Sequence, residues 1–147
     1  MRVTASVIIN RPVQQVFKVY WEDHLRNQPR FYPSTINIVP LTDGPLRQGS
    51  RFSLTRKMMG RERTEIREVM EWDAPRHVVI EARSPGFSLR FTADCEGSGE
   101  GSTLFTFVGD AEVAGVRGLL APVMRGKIQR DLQEGLDRVK QMVETET

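Results

Sequence analysis

Apolar and polar positions alternate with a period of two in several stretches of this 147-residue chain, which is the pattern of half-buried β-strands. The alternation predicts seven strands, at residues 3–9, 35–41, 50–57, 61–72, 77–83, 87–96 and 102–112. Short turns rich in glycine, proline and aspartate separate the last six strands, and such short connections join antiparallel neighbours. These six strands therefore predict a meander, at whose far edge the first strand is free to pair.

A short helical region interrupts the strands near the N-terminus. It follows Pro12, a residue that is well tolerated in a first helical turn. Its apolar stripe consists of Val13, Val16, Phe17 and Tyr20. Residues 21–31 continue this region as a broken second helix or a loop.

A long amphipathic helix is predicted at the C-terminus, because apolar residues recur three or four positions apart from Val116 to Val143. It begins at Pro122, or it begins near Gly115 and kinks at the proline. A single helix that follows antiparallel strands packs across the concave face of their sheet. The fold class is therefore α+β, a curved seven-stranded antiparallel sheet wrapped around the C-terminal helix, with short helices between the first two strands. Such an arrangement leaves a cavity between sheet and helix.

The side-chain phase of each strand predicts which residues face that helix. The inward apolar set includes Phe52, Leu54, Ile66, Met70, Trp72, Phe91, Cys95, Phe105 and Phe107. Two charged residues share these phases, since Arg56 follows Leu54 and Glu68 falls before Met70. The run at residues 78–80 is apolar at every position, and the phases of its neighbouring strands agree only if a β-bulge lies near it.

Composition and charge are those of an ordinary single domain spanning residues 1–147. The net charge of +2 is too small to indicate a nucleic-acid partner. No apolar run approaches the roughly 20 residues that a membrane-spanning helix needs, and the apolar start is too short for a signal peptide. We therefore expect a cytoplasmic protein without an integral membrane segment, as a monomer or a homodimer.

The sequence contains no motif for metal, nucleotide or serine-nucleophile chemistry. His24, His77 and Cys95 lie far apart, and their spacing is not that of a metal site. The glycine-rich segment at residues 97–101 leads into a strand rather than a helix, which is typical of a hairpin loop and not of a phosphate-binding loop. The Gly-x-Ser-x-Gly motif is missing as well. We expect no metal, no tightly bound cofactor, and a buried, unreactive Cys95.

Several short motifs, taken together, resemble a known superfamily. They are the strand that leads into the Pro12 helix, the six-stranded meander, Gly49-x-Arg51-Phe52, Glu71-Trp72, and the helix that begins near Leu120-Ala121-Pro122-Val123-Met124. The chain resembles the SRPBCC superfamily, which has the START-like, birch-pollen-allergen-like helix-grip fold. It is most similar to bacterial polyketide cyclase/dehydrase-like members. The resemblance implies a hydrophobic cavity for lipids, polyketides or other apolar small molecules, but it carries over no catalytic residue.

The candidate site consists of residues on inward phases and near the expected cavity mouth. The predicted ligand-binding residues are Trp21, Tyr32, Phe52, Leu54, Glu68, Met70, Phe91, Phe107, Leu120 and Met124. Burial in an apolar cavity would make Glu68 a general acid or base, and Arg56 is suited to a ligand carboxylate or enolate. The alternative is structural, with Glu68 paired to an arginine of a neighbouring strand and Arg56 at the sheet rim. Met58 and Met59 are a candidate apolar lid.

Three functions fit these predictions. The first is binding, including transport, of a hydrophobic or amphipathic small molecule such as a lipid or polyketide. The second is a cofactor-independent cyclase or dehydratase, in which Glu68 moves a proton while Arg56 or Tyr32 stabilises an oxyanion. The third is a protein-interaction module whose cavity is filled by side chains.

Overall fold

The computed structural model describes residues 1–58, 60–113 and 121–146 of the chain. The elements are, in order, β1 (Arg2–Ile9), α1 (Val13–Phe17), a π-helical turn (Lys18–Glu22), α2 (His24–Phe31), β2 (Thr35–Pro40), β3 (Arg51–Met58), β4 (Arg61–Asp73), β5 (His77–Ser84), β6 (Phe87–Gly97), β7 (Thr103–Val113) and α3 (Ala121–Thr145). Each predicted strand is confirmed to within one residue at either end. The predicted start of the last helix near Gly115 lies outside the described residues.

The seven strands form one sheet in the order β1-β7-β6-β5-β4-β3-β2, and every neighbouring pair is antiparallel. The predicted meander is confirmed, and so is the pairing of β1 at its far edge, next to β7. The fold class is α+β with a helix-grip arrangement. None of the helices in the described part of the chain is long and apolar enough to cross a membrane.

A β-bulge on β4 reverses the direction of its side chains. The register with β5 shifts between Val69 and Glu71, so Met70 is the extra residue. It lies opposite the all-apolar run at residues 78–80, where a bulge was expected. Since one extra residue inverts the phase, the inward residues are odd-numbered before the bulge and even-numbered after it.

This inversion corrects the predicted phase of the first part of β4. Before the bulge, the buried side chains are those of Glu65, Arg67 and Val69. After it, Trp72 packs on the core, and its ring meets Phe17 edge-on at 5.1 Å. The prediction that Ile66, Glu68 and Met70 share the inward phase of Trp72 is therefore wrong.

The long helix α3 packs one apolar face into the core and turns a polar flank toward the edge of the sheet. Its buried residues are Leu132, Leu136, Val139 and Val143. Its flank binds the free backbone edge of β1 at every second residue. Arg125 donates to the carbonyl of Arg2, Gln133 to Ser6 and Lys140 to Ile8, at 2.9, 3.0 and 2.7 Å.

The same row of contacts includes groups that accept from the strand. Gln129 bonds both backbone groups of Thr4, accepting from its N–H at 3.0 Å and donating to its carbonyl. Glu144 accepts from the N–H of Asn10 at 2.8 Å. An exposed strand edge offers a row of unpaired backbone groups. This edge is instead covered by the helix, which fixes how α3 lies across the sheet.

Candidate functional site

A cavity of about 140 Å³ lies between the concave face of the sheet, α2 and α3. Its apolar walls are formed by Trp21, Ile80, Phe91, Phe107, Ile128 and Leu132. Met58, Val123 and Met124 line it together with Lys57 and Lys127, and Val123 is largely exposed to solvent. An apolar cavity of roughly 150 Å³ takes one benzene ring, so the enclosed part suits a single ring and longer ligands extend through the opening.

The π-helical turn places two adjacent aromatic residues in this wall. The N–H of Asp23 bonds the carbonyl of Lys18, five residues earlier, at 2.9 Å. The wider turn directs both Tyr20 and Trp21 inward, where both line the cavity and are almost fully buried. π-Helical turns of this kind occur frequently at functional sites.

A buried cluster of three charged residues lies at one side of the cavity. Glu65, only 3% exposed, accepts from Nε and Nη2 of Arg67 on one carboxylate oxygen, the Nε bond being 2.8 Å. Its other oxygen lies 3.4 Å from Nη2 of Arg56. Burial by itself raises the pKa of Glu65, but attraction to Arg67 and Arg56 outweighs burial and holds the pKa below its ordinary value. The carboxylate is therefore ionised, and it is shared by two cations.

Burial also lowers the pKa of Arg56, against the attraction of Glu65. The ordinary pKa of a guanidinium is so high that Arg56 stays charged. Arg67 in addition lies over the ring of Phe91, with 5.6 Å between the guanidinium carbon and the ring centroid. The cluster carries one positive charge more than it carries negative charge.

A second polar group is formed by Tyr20, His24 and Tyr32. The two tyrosine hydroxyls are 3.1 Å apart, and burial raises the pKa of Tyr32 to about 12, so both phenols are neutral. The His24 ring donates from Nδ1 to the carbonyl of Tyr20 at 2.8 Å. Burial lowers the pKa of His24 to about 3. The imidazole is therefore neutral and its Nε2 is an acceptor, which no described residue engages.

Three buried polar atoms on the cavity-lining residues have no hydrogen-bond partner among the described residues. They are Oε1 of Gln28, Oγ1 of Thr35 and Nε of Arg56. A buried polar atom without a partner costs about 1–3 kcal/mol. The three residues therefore bring polar atoms without protein partners to the wall of the cavity. In the same part of the chain, no three His, Cys, Asp or Glu side chains converge in a metal-binding arrangement.

The structure brings about half of the predicted site residues together. Trp21, Tyr32, Phe91, Phe107 and Met124 line the cavity, as does Arg56. Phe52 and Leu54 are fully buried but belong to the core rather than to the cavity wall. Met70 is the bulge residue and does not line the cavity. Leu120 and Met59 lie outside the described residues, whereas Met58 is at the opening.

Glu68 does not face the cavity. Its side chain is 43% exposed, and its carboxylate lies 3.7 Å from Nε of Arg51. The physical reason is the bulge at Met70, which places Glu68 on the outer face of the sheet. The structural alternative for Glu68, a pair with an arginine of a neighbouring strand, describes its actual contact.

Sequence reasoning missed the residues that form the polar side of the cavity. The predicted inward phase of Ile66, Glu68 and Met70 leaves Glu65 and Arg67 on the outer face, because it extends the phase of Trp72 backward through the bulge. The position of the bulge is the information that the sequence reasoning lacked. With Met70 as the extra residue, the inward residues before it are 65, 67 and 69. Gln28 and Thr35 lie in segments whose alternation is too short to assign a phase. Cys95 is buried as expected, and burial raises the pKa of its thiol to about 12.

The fold and the cavity define the helix-grip class of proteins, and a comparison with known families agrees. The chain belongs to the family described as polyketide cyclase / dehydrase and lipid transport, whose profile matches residues 1–144. No curated protein matches the sequence significantly.

Solved structures with the same fold include three informative neighbours. A protein from Thermus thermophilus is 16% identical with a TM-score of 0.83, the match covering 100% of this chain and 99% of that one. The Zhui aromatase/cyclase from a Streptomyces species is 16% identical with a TM-score of 0.79, covering 98% and 93%. A START superfamily protein from Mycobacterium smegmatis is 18% identical with a TM-score of 0.76, covering 96% and 98%. Identities this low establish similarity of fold alone.

Proposed function

We propose that the protein binds an amphipathic small molecule in the cavity between its sheet and α3. The apolar body of the ligand packs against Trp21, Ile80 and Phe107, and its polar end lies at the Arg67–Glu65–Arg56 cluster. The observation that carries this proposal is the combination of apolar walls with unpartnered buried polar atoms. Ligand sites have this composition, a mostly apolar lining with a few polar groups that orient the ligand.

A neutral fluorescent probe tests the proposal without involving the charges of the site. N-phenyl-1-naphthylamine is titrated into the protein, and we expect saturable binding with enhanced emission. The Ile128→Trp variant fills the cavity from α3 and is expected to weaken binding at least about tenfold. Ile36→Trp, at an exposed position on β2, is the matched control and should bind as the wild type does. Equal affinities of the two variants, or no binding at all by the wild type, would contradict the proposal.

A second candidate function is a dehydratase or cyclase, favoured by the neutral His24 ring with its unengaged Nε2 beside two phenol donors. Tyr20, Tyr32 or Arg67 would polarise a ligand carbonyl, and Nε2 would accept the α-proton of the carbon acid and return it to the hydroxyl that leaves as water. Because the pKa of His24 is about 3, its Nε2 is a weak base, and positioning contributes more than basicity. The proton-transfer role first assigned to Glu68 has no geometric support, since that carboxylate is on the outer face.

The dehydratase function is tested with 4-hydroxy-4-phenylbutan-2-one. Loss of water from this ketone forms a conjugated enone that is followed by its absorbance. His24→Gln and Tyr32→Phe are expected to lower the rate at least about tenfold, whereas Glu68→Gln is the carboxylate control and should leave it unchanged. Turnover at the uncatalysed rate with the wild type would remove this candidate. The third function, an interaction module, requires a cavity filled by side chains. The side chains of the described residues do not fill this cavity, which argues against that function.

A further inference from the structure

We propose that the polar end of the ligand is a carboxylate, bound by Arg56, Thr35 and Gln28 on the side of the cavity formed by β2, β3 and α2. The inference rests on the proposed function, because it assigns the chemical class of the molecule that the cavity takes. It follows from three independent features of the described residues: the pairing of two strands, the atoms left without partners, and the balance of charge.

Strand pairing places Thr35 and Arg56 side by side. They are direct partners in the antiparallel register of β2 and β3, so both side chains are on the inner face of the sheet. Gln28, on α2, is 3% exposed and lines the same cavity. A hydroxyl, a guanidinium and an amide therefore line one cavity, supplied by three different elements.

Each of these three side chains has a buried atom with no partner among the described residues. Nε of Arg56 is a donor, and Oγ1 of Thr35, a residue 9% exposed, donates or accepts. Rotation of the Gln28 amide presents either its oxygen or its NH₂ group. A carboxylate only accepts hydrogen bonds, so it suits Nε of Arg56, the hydroxyl proton of Thr35 and the NH₂ group of a rotated Gln28 amide.

The balance of charge favours an anion. The cavity is lined by Arg56, Lys57, Arg67 and Lys127, and the only lining carboxylate among the described residues is Asp131. Asp131 pairs with Lys127 at 3.2 Å, and Glu65, just behind the wall, neutralises one of the two arginines. Positive charge therefore remains beside the apolar walls, where a low local dielectric strengthens its attraction for an anion.

The size of the cavity limits the carbon skeleton that accompanies this carboxylate. A cavity volume of about 140 Å³ holds approximately one six-membered ring, and its open side leaves room for a short extension. We therefore assign the ligand to the monocarboxylates that carry a single ring or a short aliphatic body. Such molecules differ from a neutral amphiphile of equal size only in the charged group, which makes a matched comparison possible.

Calorimetric titration with 3-phenylpropionate and with 3-phenylpropan-1-ol at pH 7 tests the assignment. The two probes share the ring and chain, and only the first is an anion. We expect the wild type to bind the carboxylate at least about tenfold more tightly than the alcohol, because charge-assisted hydrogen bonds are roughly twice as strong as neutral ones. Arg56→Gln should lose most of that preference, and its affinity for the alcohol should fall by a smaller factor than its affinity for the carboxylate.

Two further variants make the experiment decisive. Arg51→Gln carries the same substitution on the same strand, but on the outer face where Arg51 pairs with Glu68, and it should bind as the wild type does. Thr35→Val removes one hydroxyl at nearly constant volume and should weaken carboxylate binding several-fold. It provides an independent test of the site if the Arg56→Gln variant does not fold.

The outcomes separate this inference from the proposed function. Equal affinity of the wild type for the two probes, or a preference that survives both Arg56→Gln and Thr35→Val, overturns the carboxylate assignment while binding itself stands. Binding of neutral N-phenyl-1-naphthylamine without binding of phenylpropionate has the same meaning. If neither the neutral dye nor either phenylpropyl probe binds, the proposed function fails, and the assignment of its ligand fails with it.

Discussion

Gly135 allows the ring of Tyr32, a cavity-lining residue, to pack directly against α3, because glycine has no side chain. A Cβ built at Gly135 on α3 would overlap the ring of Tyr32, whereas one built at Gly126 on the same helix meets nothing within 4 Å. Tyr32 in turn holds the hydroxyl of Tyr20 at 3.1 Å. The glycine is therefore needed at position 135 for close packing of the cavity wall.

Alanine at these two positions should have opposite effects. Alanine is a better helix former than glycine by about 1 kcal/mol, so Gly126→Ala should stabilise the protein by up to that amount. In Gly135→Ala the overlap with Tyr32 outweighs this gain, and overpacking of this kind costs typically 1–3 kcal/mol. The free energy of unfolding from urea titrations measures both changes. A stabilised Gly135→Ala variant would show that Tyr32 moves aside without cost.

His77 lies on the outer face of the sheet between two carboxylates. Its Nδ1 is 2.6 Å from Asp94 and its Nε2 is 3.3 Å from Glu71. The pKa of His77 is raised above its ordinary value of 6.5, and the main cause is the hydrogen bond to Asp94. The protonated ring is thus favoured in the folded protein relative to the unfolded chain.

The stability of the protein should accordingly depend on pH through His77. A raised pKa contributes stability that is fully present below the unfolded pKa of about 6.5 and is lost as the pH rises through the folded value. We expect the unfolding free energy of the wild type to exceed that of His77→Gln at about pH 5.5 and the difference to shrink toward about pH 9. The effect should be modest and weaken in salt, because the ring is accessible to solvent. A difference independent of pH would assign the contribution of His77 to packing.

At the scale of elements, the row of side chains that α3 places along β1 is the main device that positions the helix. Its members, in chain order, are Arg125, Gln129, Gln133, Lys140 and Glu144. These contacts are partly exposed, so each is worth the lower part of the usual net value of about 0.5–1.5 kcal/mol. Their second effect is to occupy backbone groups with which another chain would otherwise pair.

Removal of two members of this row should both destabilise the protein and expose the edge. We expect the Gln129→Ala/Gln133→Ala double variant to lose about 1–2 kcal/mol of unfolding free energy and to self-associate in size-exclusion chromatography. Gln141→Ala, an exposed glutamine of the same helix, controls for the loss of a glutamine side chain alone. A double variant that remains as stable as this control would show that apolar packing alone positions α3.

At the scale of the whole molecule, the architecture was predictable because its determinants are local. Turn residues such as Asp43-Gly44-Pro45 end strands wherever they occur, and the three-and-four spacing of α3 holds over 25 residues. The inward phase of β6, with Phe91 and Cys95, was also readable because that strand has no bulge.

The polar side of the cavity was not predictable, because it depends on one inserted residue. The bulge at Met70 changes which of the charged residues in β4 are buried, and the Glu65–Arg67 pair becomes visible only once that phase is known. The contact of Arg56 with Glu65 crosses from one strand to the next, and no spacing along the sequence indicates it. Hydrophobic walls follow from local pattern, whereas polar contacts follow from register.

The whole fold should unfold as one cooperative unit, since its two ends are joined. The N-terminal amine donates to the carbonyl of Ala111 at 3.1 Å, β1 pairs with β7, and α3 covers the free side of β1. We expect the urea transitions followed by tryptophan emission, from Trp21 and Trp72, and by far-ultraviolet circular dichroism to coincide. Separate midpoints would mean that α3 or β1 detaches before the rest of the sheet.

The row of contacts between α3 and β1 also has an arithmetic consequence for the cavity. Four residues of the helix advance about 6.0 Å, whereas two residues of the strand advance about 6.6–6.8 Å. The helix contacts therefore fall progressively behind the strand positions that they bind. The step from Gln133 to Lys140 accordingly spans seven helical residues instead of four. Sliding α3 by one turn would bring Asp137 to the carbonyl of Ser6, where acceptor meets acceptor. That displaced setting of the helix is therefore electrostatically unfavourable. The depth at which Leu132 and Asp131 line the cavity thus depends on contacts at the outer edge of the sheet.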